Sequence, residues 1–331
     1  MARADLLKRL FSCFSNDDKE LFIKTAYEII ADERKKNHAM LADDLEMVLK
    51  GATKGHRTST PSMNTFISPP KDTYAHLVEI VYPDKYFDDA ILPDAKMQQL
   101  DEIIREFQNW DVLMCNGVAP MSKFLFYGPP GCGKTLCAHI IAAEIGIPLM
   151  YVRYDTLVSS YLGETASNIK KVFDLAKNDN YVILFDEFDA IGRSRNDSTE
   201  HGEIKRVVNT FLQQIDNFKG HSIIIAATNY EQSLDYAIWR RFDDTLLFDL
   251  PTNEEKEKLF SFRLRQFQGP KQIFKTFLER TSTFSYADIE NICKVIMRKC
   301  ILDGTRIYKK QDIEQAVAKQ EALVALRKSW Y

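Results

Sequence analysis

No run of apolar residues in this chain approaches the ~20 residues that a membrane-crossing helix needs, so no span is expected. No Cys-x-x-Cys pair occurs among the six cysteines, Cys13, Cys115, Cys132, Cys137, Cys293 and Cys300. That absence argues against a zinc site and a disulfide framework, and it fits a reducing compartment. Charge of one sign is also scarce. The 44 Lys and Arg against 47 Asp and Glu leave a net charge of −3, which carries no electrostatic footprint for nucleic acid. The first residues, MARADLLKRLFSCF, scatter charges among their apolar side chains and read as an amphipathic helix rather than a secretory signal. The expected location is the cytoplasm. Neither an internal repeat nor a protease signature is present.

What is there is a globular composition, 45% hydrophobic and 27% charged. At 331 residues the chain exceeds one ordinary core, so two or three domains are expected. Leu6, Leu7, Leu10, Phe11 and Phe14 recur with helical spacing. Ser15 to Asp18 supply cap-type residues, after which Phe22, Ala26, Ile29 and Ile30 share one face of a second helix. Met40, Leu41, Leu45, Val48 and Leu49 mark a third. Residues 1–50 therefore read as a small N-terminal helical domain. Residues 51–73, rich in Gly, Ser, Thr and Pro without periodicity, read as a flexible linker.

From residue 74 the pattern changes to strands alternating with helices. KFLFY (123–127), PLMYV (148–152), VILFD (182–186), SIIIAAT (222–228) and TLLFDL (245–250) are short apolar runs of strand type. Helical patterns between them imply an α/β core over 74–251, a parallel sheet flanked by helices. Beyond Pro251 only helical patterns follow, so 252–331 is expected to form a C-terminal helical lid.

The chemistry-bearing residues lie at the ends of these strands. GPPGCGKT comprises Gly128, Pro129, Pro130, Gly131, Cys132, Gly133, Lys134 and Thr135. With Leu136 after it, this run links a strand to a helix, the context that the phosphate-binding G-x-x-x-x-G-K-[ST] loop requires. Backbone N–H groups and a helix N-terminus there favour phosphate, Lys134 suits the β- and γ-phosphates, and the Thr135 hydroxyl suits Mg²⁺. A chance glycine-rich turn is the weaker alternative. VILFDE (182–187) buries four apolar residues and delivers Asp186 and Glu187 at a strand end. Asp186 suits Mg²⁺ and Glu187 suits polarising a water. Cys132 could have a lowered pKa at the helix start, but a small side chain that simply fits is the favoured reading.

With these motifs in hand, the chain from about Phe87 onward resembles the AAA ATPases. The resemblance is closest to the branch holding protein unfoldases, disaggregation-type remodellers and microtubule-severing enzymes. It is carried by GPPGCGKT, SYLGET (160–165), ILFDEFDAIGRSR (183–195), IIAATN (224–229), WRRFDD (239–244) and FSYADIENIC (284–293), in the family's order and spacing. It implies a P-loop NTPase fold, ATP and Mg²⁺ as ligands, ATP hydrolysis, and assembly into a homo-oligomer, expected from this family to be a hexamer. Asn229 would be the sensor that orients the attacking water. Arg240 and Arg241 would be arginine fingers for a neighbouring subunit's γ-phosphate, either of them dominant, since this chain lacks the Pro-Gly that separates the two in many relatives. Tyr161, Leu162 and Gly163 would form a pore loop that grips a protein substrate; a buried Tyr-Leu pair is the bland alternative. The polar stretch 194–203 would be a second pore loop or a plain surface loop. Phe87, Asp88 and Asp89 would approach adenine, and Tyr286 stands where relatives usually carry glycine beside that base.

The expected function is thus an ATP-driven ring that threads or remodels proteins, with the N-terminal helices choosing a substrate, an adaptor or a separate protease partner. A nucleotide-switched interaction protein is the first alternative. A nucleic-acid motor is the weaker one, given the acidic balance.

Overall fold

The computed structural model describes residues 19–35, 77–153, 164–177, 179–189, 201–234 and 236–328. The chain divides into two compact units, Met1–Ser68 and Pro69–Tyr331. In the first, the described residues form one helix, α1 (Lys19–Lys35). Ile29 and Ile30 are buried on it, with Phe22, Ile23 and Ala26 packed against Ile30, the face expected from their spacing. The expected helices on either side, and the linker over 51–73, lie outside the described residues.

In the second unit the order is β1 (Val78–Val81), a 3₁₀ turn at Phe87–Asp89, α2 (Asp94–Gln108), α3 (Trp110–Cys115), β2 (Lys123–Tyr127) and α4 (Lys134–Ile145). There follow β3 (Leu149–Val152), α5 (Thr165–Ala176), β4 (Val182–Phe185), α6 (His201–Asn217), β5 (Ile223–Thr228), α7 (Tyr236–Trp239) and β6 (Asp244–Leu247). After these come only helices: α8 (Asn253–Arg263), a 3₁₀ segment at Lys271–Phe277, α9 (Tyr286–Leu302) and α10 (Lys310–Lys328).

The six strands make one sheet in the order β1-β3-β4-β5-β2-β6. Five are parallel, as the apolar runs predicted; β1 is an additional edge strand, antiparallel to β3, with Val78 opposite Val152. Strand side chains alternate between two hydrophobic layers. Leu125, Ile183, Phe185, Ile224 and Ala226 pack on one face with Phe173 and Phe211 of α5 and α6. Phe124, Phe126, Leu184, Ile225 and Ala227 pack on the other with Ile104 and Phe107 of α2 and Ile141 of α4. With both faces covered, the inner strands carry no polar alternation, which is why they stand out as continuous apolar runs.

The helices after Pro251 bury a third cluster around Phe260, Phe274, Ile292 and Tyr308. The α8 helix starts at a capping box: Thr252 accepts from the Glu255 N–H, and the Glu255 carboxylate accepts from the Thr252 N–H. A second box, Ser285 with Asp288, starts α9. Asp288 is buried and also accepts from Gln320 Nε2 at 2.6 Å and Arg327 Nη1 at 3.1 Å, which fastens α10 across the start of α9.

Phe211 is the centre of the first layer, 0% exposed and in ring contact with Phe173, Phe185 and Phe188. Phe211→Ala is expected to destabilise the unit by about 3–5 kcal/mol through lost burial and a residual cavity. A lowered urea midpoint in circular dichroism is the measurement; an unchanged midpoint would contradict this packing.

Candidate functional site

At the carboxyl edge of the sheet, β2 ends at Tyr127 and the chain turns through 128–133 into α4. Two glycines there are required by contact. Gly128 has φ 130°, and a Cβ on it would stand 2.2 Å from the Phe248 carbonyl oxygen. Gly131 has φ 75°, and a Cβ there would meet the Ser285 Oγ at 2.7 Å and the Ala287 Cβ at 2.9 Å. Pro130 is exposed, while Pro129 and Leu136 are half-buried.

Lys134, the first residue of α4, is 5% exposed. Its Nζ donates to the carbonyls of Gly128 at 2.6 Å and Pro129 at 2.9 Å. Burial lowers its pKa from the ordinary lysine value, while nearby Cys132, Asp186, Glu231 and Asp189 favour the charged form. A buried ammonium held by carbonyl dipoles, at a helix N-terminus, is an arrangement that can take up an anion. Cys132 is the opposite of an activated thiol: it is buried, and desolvation pushes its pKa up to about 11 despite the Lys134 charge. It fills space, as expected.

Strand β4 is buried along its whole length and delivers the acidic pair. Asp186 Oδ2 accepts from the Thr135 hydroxyl at 2.7 Å, joining two residues 51 positions apart. Its Oδ1 accepts from the Glu187 N–H at 2.9 Å. Glu187 has φ 51°, the one non-glycine positive φ among the described residues, and its side chain is exposed. Beyond it the Phe188 N–H donates to the Ala227 carbonyl at 2.8 Å, which pins the turn to β5.

Asp189 is the site residue that sequence reasoning passed over. It is 6% exposed, and its Oδ1 accepts from the Thr228 hydroxyl at 3.1 Å and the Asn229 N–H at 3.4 Å. The Thr228 hydroxyl in turn accepts from the Tyr230 N–H. Asp189 thereby sets the backbone from which the Asn229 side chain projects. The available signal was a third acidic residue two positions after Glu187.

The arginines differ from one another. Arg241 Nε donates to Asp216 Oδ2 of α6 at 3.0 Å, and its Nη1 donates to the Ala237 carbonyl at 2.8 Å. Arg240 is exposed, with no side-chain hydrogen bond or ion pair among the described residues. Neither bonds to Lys134, Thr135, Asp186 or Glu187 within the chain. Tyr161, Leu162 and Gly163 lie outside the described residues, as does most of 194–203.

The helices after Pro251 touch the glycine loop directly. The Ala287 N–H donates to the Gly131 carbonyl at 3.1 Å. Tyr286 Oη donates to Glu255 Oε2 at 2.8 Å, and burial with that carboxylate beside it raises the phenol pKa. On the other side, the Phe87 N–H donates to Glu144 Oε1 of α4 at 3.0 Å.

Comparison with known proteins fits this geometry. Residues 124–250 match the family described as ATPase family associated with various cellular activities (AAA). The protein named uncharacterized AAA family ATPase y4kL of Sinorhizobium fredii is 39% identical over 319 residues, 96% of this chain and 95% of that one. The chain belongs to the AAA family of ATPases. Two further relatives are matched over less of their length. A putative 26S proteasome regulatory subunit homolog of Methanocaldococcus jannaschii is 36% identical over 200 residues, 59% of this chain and 54% of that protein. The proteasome-activating nucleotidase of Sulfurisphaera tokodaii is 31% identical over 262 residues, 76% of this chain and 67% of its own. ATP hydrolysis is the activity that this membership brings to the site.

Burial predicts a selective thiol pattern. At pH 7.5 a maleimide should modify exposed Cys115 quickly and leave buried Cys132, Cys137, Cys293 and Cys300 untouched in the native protein. Peptide mass mapping measures it, and rapid labelling of Cys132 would contradict the packed loop.

Proposed function

We propose that this AAA ATPase works as a homo-oligomeric ring, a hexamer, that uses ATP to remodel, unfold or disassemble protein substrates. The observation that carries the nucleotide half of the reading is the meeting of Lys134, Thr135 and Asp186 at one sheet edge, through the Thr135–Asp186 contact of 2.7 Å. The names of the proteasome-associated relatives support the protein-remodelling half.

The donor set fits a magnesium nucleotide. Thr135 and Asp186 offer a hydroxyl and a carboxylate oxygen side by side, hard ligands of the kind Mg²⁺ takes in nucleotide sites. When bound, Mg²⁺ offsets phosphate charge there. Residues 128–136 would wrap the phosphates, and Lys134 would exchange its two loop carbonyls for phosphate oxygens. Glu187 would take the proton from a water whose oxygen attacks the γ-phosphorus, as the bond to the bridging oxygen of ADP breaks. Its left-handed backbone costs about 1–3 kcal/mol, a strain of the kind that collects at working sites. Asn229, on the backbone set by Asp189, would orient that water.

Of the two candidate fingers, Arg240 would serve a neighbouring subunit; its exposure supports this, as does the hold of Asp216 and Ala237 on Arg241. A guanidinium supplied in trans contributes on the order of 10³–10⁵ in rate in related phosphoryl transfers. Arg241 would act by holding α7 against α6. Tyr161, Leu162 and Gly163 would line the pore and grip the polypeptide. Residues 1–50, on the linker 51–73, would choose the substrate, an adaptor or a protease partner. Residues 252–331 would swing as a lid on the 74–251 core.

Two outcomes check the reading. Arg240→Ala should leave ATP affinity within about threefold and lower kcat by at least about a hundredfold, with activity recovered in mixed oligomers beside subunits lacking Glu187. Wild-type turnover by Arg240→Ala would remove the trans-arginine assignment. A Glu187→Gln trap loaded with ATP should retain client proteins, and Tyr161→Ala in the same chain should release them. Clients retained without Tyr161 would point instead to a nucleotide-switched scaffold.

A further inference from the structure

Tyr286 has a position that none of the catalytic assignments uses. It is the first residue of α9, immediately after the Ser285 cap. Its ring packs against two hydrophobic clusters at once. One is the layer that contains Cys132, Cys137 and Ala138 of the glycine loop and α4; the other is the cluster of the C-terminal helices. The residues beside it touch the glycine loop: Ala287 donates its N–H to the Gly131 carbonyl, and Ser285 and Ala287 crowd the Gly131 α-carbon so closely that a Cβ would not fit.

Its hydroxyl leads the other way. Glu255 Oε2 accepts from Tyr286 Oη at 2.8 Å and from the Thr252 N–H at 2.8 Å. Thr252 caps α8 directly after Pro251, where the chain passes from the last strand into the C-terminal helices. One carboxylate oxygen therefore holds both the helix cap at that passage and a phenol seated on the nucleotide loop. The bond is charge-assisted, of the stronger class.

We infer that Tyr286 is a positioning residue that couples the nucleotide loop to the hinge of the C-terminal helices through Glu255. The inference rests on the nucleotide reading of residues 128–136. Lys134 would leave the carbonyls of Gly128 and Pro129 to reach a phosphate, so the contacts that hold the loop would differ with and without nucleotide. A shift of the loop at Gly131 moves the start of α9, and the phenol passes that motion to the Thr252–Glu255 cap. Without the hydroxyl the ring still packs and the loop still binds, but the hinge no longer follows. Turnover should then suffer while binding does not.

The test is steady-state ATP hydrolysis by the full chain with Tyr286→Phe, Glu255→Ala and both together, alongside thermal melting. Tyr286→Phe should fold normally, keep KM within about twofold and lower kcat about tenfold, the scale of one charge-assisted hydrogen bond. The double variant should be no slower than Glu255→Ala alone, because both remove one contact. Wild-type kcat in Tyr286→Phe would overturn the inference. A loss confined to KM would also overturn it, making Tyr286 a nucleotide contact, as would losses that multiply in the double variant. A wild-type chain that neither binds nor hydrolyses ATP would instead overturn the nucleotide reading, and the coupling with it.

Discussion

The chemistry of this chain depends on the burial of β5. All six of its residues are buried, and it lies between β2 and β4 in the sheet. Parallel pairing on both sides aligns the three carboxyl ends, with Tyr127 beside Thr228 and Phe185 beside Ala226. The glycine loop, the acidic pair and Asn229 are thereby delivered to one edge. The Ala227 carbonyl, accepting from the Phe188 N–H, holds the turn of Glu187 and Phe188 to this strand.

Around this edge the polar groups are arranged so that few are free to relax. Lys134 is satisfied by loop carbonyls, Asp186 by Thr135 and Glu187, and Asp189 by Thr228 and Asn229. Buried polar groups joined in this way fix geometry more than they add stability, since each replaces contacts with water. Two features break the pattern. Glu187 has a strained backbone and an exposed side chain, and Lys134 has dipoles where a full negative charge would serve better. On the proposed reading both stand where a phosphate and a water would come together, which would tie the strain to the ATPase activity rather than to the fold.

Much of this was readable in the residues. The buried parallel strands appear as unbroken apolar runs, and Gly128, Gly131 and Gly133 appear as the spacing of a loop that only glycine can form. The failures have physical causes. Val78–Val81 escaped notice because it is an edge strand interrupted by Glu79, without the continuous apolar run of the neighbouring β3, which is of equal length. The strand expected over 245–250 ends at Leu247, and at Phe248 the chain instead brings its carbonyl against Gly128. Asp189, the Tyr286–Glu255 bond and the contrast between Arg240 and Arg241 all depend on contacts between distant segments, which periodicity does not encode.

On the proposed reading, the edge defined by Lys134, Thr135 and Asp186 binds nucleotide and Lys134 is released from the loop carbonyls. Equilibrium titration of a fluorescent ATP analogue against the wild-type chain and Lys134→Ala tests it most directly. The wild type should bind saturably and with Mg²⁺ dependence, and Lys134→Ala should lose binding while still melting cooperatively. Equal affinity in both would contradict it, because the buried ammonium would then have no part in holding the phosphates.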